Sequence, residues 1–65
     1  MITRIDIRLL EIKDTEIRKS IRADIKFIQL STSTKEFETM IVLFENKYST
    51  YDEDIREFVN YFSHQ

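Results

Sequence analysis

Three groups of side chains have types and spacings that chemistry could use. Asp52-Glu53-Asp54 offers carboxylates for a divalent cation or a general base, His64 offers an imidazole, and Ser31, Thr32, Ser33 and Thr34 offer hydroxyls. Consecutive helical residues point about 100° apart, so the three carboxylates do not converge unaided. Negative charge at the positive end of a helix dipole accounts for them instead. His64 is the only histidine and stands next to last, where it suits a helix C-terminus better than a pocket. The hydroxyl run has no cysteine or glycine-bearing nucleophile turn to work with and reads as a polar loop. No catalytic, metal-binding or cofactor-binding residue is therefore assigned, and the chain is expected not to be an enzyme. Tyr48, Tyr51 and Tyr61 read as residues at the edge of a core, with a role as interface anchors as the alternative.

Arg4, Arg8, Arg18, Lys19, Arg22 and Lys26 form the one basic set that nucleic acid could use. Residues 1–30 carry seven Lys/Arg against five Asp/Glu, and residues 31–65 carry three against seven, giving +2 and −4 within the net charge of −2. That imbalance is mild beside the strongly basic stripe of a typical nucleic-acid binder, and no aromatic alternates with the cations as a base-stacking platform would need. Nucleic-acid binding is thus the alternative reading and not the leading one.

These residues must be carried by a single domain, residues 1–65. A chain of this size buries only about 60% of the surface its unfolded form exposes, so help from self-association or a partner is expected. There is no cysteine, glycine or proline. Disulfides, thiolate metal sites, phosphate-cradling glycine loops and two-residue primed hairpins are all excluded by that composition. The longest apolar run, Met40 to Phe44, is too short for a membrane span, which makes the cytoplasm the expected compartment.

A near-repeat dominates the patterning: Asp6-Ile7-Arg8-Leu9-Leu10-Glu11-Ile12 returns as Asp24-Ile25-Lys26-Phe27-Ile28-Gln29-Leu30. Apolar and polar residues alternate from Arg4 to Leu9 and from Ile21 to Phe27, which predicts two strands. Pairing Ile7 with Ile25 sets Asp6 against Lys26 and Arg8 against Asp24 and is the preferred register, although Ile7 opposite Ile21 also matches charges. A third strand is expected over about Glu36–Glu45, apolar on both faces. Thr50 and Glu53 fit a capping box, and Ile55, Phe58, Val59 and Phe62 then follow at i, i+3, i+4 and i+7, predicting a C-terminal helix. The competing reading makes residues 14–29 a helix capped by Asp14, because Ile17, Ile21, Ile25 and Ile28 also fall at helical spacing.

The expected fold is α+β: a three-stranded antiparallel β-meander with one C-terminal α-helix packed on one face, the alternative order being β-α-β-α. Such a fold leaves Leu10, Ile12, Ile28, Leu30, Ile41 and Leu43 on a second apolar face, the expected dimer or partner interface. The function expected is a small non-enzymatic protein-interaction module, a homodimeric inhibitor, adaptor or regulator. An origin in a phage or mobile element, with an anti-defence role, suits so small an acidic chain.

Overall fold

Asp14 opens fifteen residues in which every third or fourth side chain is apolar and nothing breaks a helix. The computed structural model, which describes residues 3–64, makes this segment a helix. Its elements are α1 (Arg4–Leu9), α2 (Thr15–Gln29), α3 (Thr34–Lys47) and α4 (Glu53–Ser63), and no strand occurs among the described residues. The expected α+β class, its β-meander and the β-α-β-α alternative are all overturned. A helix does lie over 14–29, as in that alternative, and another at the C-terminus, but the segments expected as first and third strands are helical too.

Caps explain where each helix begins. Thr3 Oγ1 accepts the Asp6 N–H at 3.2 Å while the Asp6 carboxylate accepts the Thr3 N–H at 3.1 Å, a reciprocal box that outweighs the short alternation after it. The Asp14 carboxylate accepts the N–H groups of Glu16 and Ile17 at 3.0 and 3.2 Å. Ser33 Oγ accepts the Glu36 N–H at 3.1 Å, so the polar run read as an inter-strand loop contains the start of α3. At α4 the N-cap is Asp52, without a side-chain cap bond, and the expected Thr50–Glu53 box does not form.

Burial shows which period the chain obeys. In α2, Ile21, Ile25 and Ile28 are buried, whereas Phe27, which the strand pattern grouped with Ile21 and Ile25, is exposed. In α3 the residues facing inward are Ile41 and Phe44, followed by Tyr48, while Val42 and Leu43 point outward. A helix dense in apolar residues looks two-faced when read at period two. The near-repeat is no structural repeat, since Leu9 and Ile12 are buried in the first copy while their counterparts Phe27 and Leu30 are exposed. The paired register of Ile7 with Ile25 falls with the sheet.

α2 and α3 form a helical hairpin, α4 packs on α3, and α1 rests against α4. Ile55, Phe58, Val59 and Phe62 of α4 are all buried, each contributing on the order of 1.5–3 kcal/mol. Phe44 meets both Tyr48 and Phe62 edge to face, at centroid distances of 5.4 and 5.6 Å. The result is a slab of 32 × 31 × 19 Å, broad enough for each helix to keep an open side. None of the described helices is long and apolar enough to cross a membrane.

Candidate functional site

The open side of the α2–α3 hairpin carries large apolar side chains that the core does not use. Phe27 is 65% exposed and Leu43 62%, with Met40 half-buried beside them, and Leu30, 75% exposed, stands at the C-cap of α2. Phe27, Ile28, Met40, Leu43 and Phe44 line a shallow trough of about 240 Å³ whose rim at one end is Asp24 and Lys47. A second concave stretch continues from Leu43 and Met40 to Glu36, Lys35 and Ser33. The two together run along α3 from Lys47 to Glu36.

A polar cluster holds the hairpin together beside the trough. The Tyr48 hydroxyl donates to Asp24 Oδ2 at 2.6 Å and lies 2.9 Å from Ser20 Oγ. Lys47 Nζ donates to both Asp24 oxygens, at 3.2 and 3.0 Å, and sits 5.3 Å from the centroid of the Tyr48 ring. Burial of the hydroxyl, reinforced by its bond to Asp24, raises the Tyr48 pKa above its ordinary value. The hydrogen bond to Asp24 likewise raises that of Lys47. A serine, a tyrosine, a lysine and an aspartate in contact resemble catalytic machinery, yet the raised tyrosine pKa opposes the tyrosinate that a general base would need. Tyr48 is only 1% exposed, so its hydroxyl serves as a clamp between α2 and α3.

The six residues expected to share an interface are divided by the helices. Ile12, Ile28 and Ile41 are core residues at 1%, 3% and 9% exposure, while Leu10, Leu30 and Leu43 are exposed. Helical geometry separates neighbours that strand alternation would place together. Leu30 and Leu43 lie on the hairpin, whereas Leu10 ends α1 beside Thr15, Arg18, Lys19 and Arg22.

The basic set is regrouped as well. Arg18, Arg22 and Lys26 stand at i, i+4 and i+8 on α2, with exposed Lys19 next to them. Arg8 instead lies over the Tyr61 ring at 4.4 Å, and Arg4 is exposed on α1. Glu53 and Asp54 sit in the first turn of α4, where Asp54 Oδ1 accepts the Ile55 N–H at 2.9 Å, and His64 is the C-cap. No group of three or more His, Cys, Asp or Glu residues that could hold a metal ion occurs among the described residues.

Sequence reasoning missed Asp24, Phe27, Met40 and Lys47 as members of one face. The signal was present in α3, because Glu36, Met40, Leu43 and Lys47 follow the 4-3-4 spacing of a helical seam once residues 34–47 are read as a helix. Comparison with protein-family models, curated proteins and solved structures found no match for the chain.

Proposed function

We propose that this chain is a small non-enzymatic protein-interaction module that acts by laying the open α2–α3 face on another polypeptide surface. The observation that carries the reading is exposed Phe27 and Leu43 with half-buried Met40 along one trough of the hairpin. Leaving such side chains in water forgoes on the order of 1.5–3 kcal/mol each, comparable in sum with the whole stability of about 3–5 kcal/mol expected of so small a core. A polar rim of Asp24, Lys47 and Glu36 around an apolar centre is the usual anatomy of a protein interface. An inhibitor or adaptor needs no more than such a face, and the cytoplasm is its proposed compartment.

A photo-reactive phenylalanine analogue at position 27, compared with one at exposed position 56 on α4, tests the reading in cells. Discrete crosslinked bands from position 27 that are absent from position 56 support it. Equal, diffuse labelling from both positions overturns it.

The basic row of Arg18, Lys19, Arg22 and Lys26 favours one alternative, a regulator that binds nucleic-acid phosphates. That reading predicts affinity falling steeply with salt and lost in an Arg18→Ala/Arg22→Ala variant. Absence of a mobility shift at low salt removes it.

A further inference from the structure

The outward line of α3 has an order of its own. Glu36, Met40, Leu43 and Lys47 run acid, apolar, apolar, base at spacings of four, three and four; Met40 and Leu43 line both concave stretches, Lys47 lines the first and Glu36 the second. Turned end for end, this line is its own complement. The acid falls opposite the base, and each apolar residue falls opposite the other.

In antiparallel helix pairs, positions of the first seam type face positions of the second, so a 4-3-4 line meets its inverted copy in register. A two-fold contact requires that residue i touch residue j and j touch i, and this line meets that condition without a mismatch. A parallel copy would instead put Glu36 beside Glu36 and Lys47 beside Lys47.

Resting on the docking-face reading above, we infer that the occupant of the trough is a second copy of this chain. Its α3 lies antiparallel to the first about a two-fold axis midway between Met40 and Leu43. Glu36 then meets the partner's Lys47, Met40 meets the partner's Leu43, and Phe27 of each copy flanks the pair. Lys47 keeps its Asp24 contact and has a further donor to offer, its side chain being 50% exposed. A standard interface of about 800 Å² per partner is roughly a sixth of the 5046 Å² surface of the chain, within reach of one broad side of the slab.

Charge reversal tests both the occupant and the register. Glu36→Lys places lysine at both ends of the line, and Lys47→Glu places glutamate at both ends. Each variant alone replaces two attractive pairs by two repulsive ones and is expected to self-associate on the order of tenfold more weakly than the unaltered chain. Mixed, with one of them isotopically labelled, they regain an opposite pair at each end and form a heterodimer by native mass spectrometry. Circular dichroism of each variant checks that it is folded. Should the second carboxylate that Lys47→Glu sets beside Asp24 unfold that variant, Glu36→Cys mixed with Lys47→Cys supplies the second test, because cysteine adds no such charge and the chain has no cysteine of its own. Oxidation should then give the mixed disulfide in excess over either homodimer.

Variants that dimerise as tightly as the original, or statistical disulfide pairing, overturn the register. A monomeric unaltered chain overturns the second copy. In that case discrete crosslinks from position 27 to a different polypeptide would leave the docking-face reading standing.

Discussion

Tyr48→Phe removes one hydroxyl and leaves the ring, which separates the clamp between α2 and α3 from the packing around it. The ring's edge-to-face contacts with Phe44 and Tyr51, at 5.4 and 5.1 Å, survive the change. What is lost is the 2.6 Å bond to Asp24 and the 2.9 Å contact with Ser20. A hydrogen bond to a charged acceptor is worth about 1.5–3 kcal/mol, but Asp24 retains Lys47 and partial access to water, which brings the expected cost to about 1–2 kcal/mol. In a domain of this size that lowers Tm by about 5–15 °C. The pKa of Tyr48 is raised by folding, so its contribution is fully present below the ordinary tyrosine value of about 10 and is lost as pH rises through the raised value. Urea unfolding followed by circular dichroism should therefore show a gap between the unaltered chain and Tyr48→Phe at neutral pH that closes above about pH 10. Because Lys47, Tyr51 and Tyr61 remain in both proteins, the difference isolates Tyr48. A neutral-pH gap below about 0.5 kcal/mol, or one that persists unchanged at high pH, would refute the clamp.

Ser33→Ala should cost about 0.5–2 kcal/mol by uncapping α3, whereas Thr50→Ala, which the sequence marks as an equally good cap, should cost less than about 0.5 kcal/mol, both read from urea midpoints. Leu43→Glu should leave the unfolding free energy of the monomer within about 0.5 kcal/mol of the original, since that side chain is 62% exposed; a larger loss in dilute urea titrations would place it in the core. Asp6 has its pKa lowered first by the Thr3 backbone bond, so α1 should hold above the ordinary carboxylate value of about 3.9 and fray as pH falls through the lowered one. Amide exchange at Asp6 and Ile7 that shows no change across that window would contradict the box.

Residues 55–62 were legible because a single apolar stripe over just more than two turns admits only a helical period. The first and third helices were not, and the second, α2, stood only as the competing reading; the reasons differ. At residues 4–9 the helix is so short that alternation and helical spacing coincide over most of it, and the Thr3–Asp6 box was the deciding feature. At residues 21–27 the alternating apolar set includes Ala23 and Phe27, which the helix exposes, while the longer line from Ile17 to Ile28 shows the true period. At residues 36–45 the density of apolar side chains concealed any period, and only the Ser33-to-Glu36 spacing announced a helix start. Leu30 and Leu43 entered the expected interface because they are apolar and outward in either fold. Phe27 was grouped by the strand pattern with Ile21 and Ile25, and the Asp24–Tyr48 contact joins residues 24 apart in the chain, for which a single sequence carries no local sign.

Mass in solution, measured by light scattering behind gel filtration from low to high micromolar concentration, bears most directly on the claim that the α2–α3 face is covered by a second copy. The account predicts a species near twice the 7.9 kDa chain mass that reverts to monomer in Leu43→Glu. A monomer across the whole range, or a dimer that Leu43→Glu leaves intact, would contradict it.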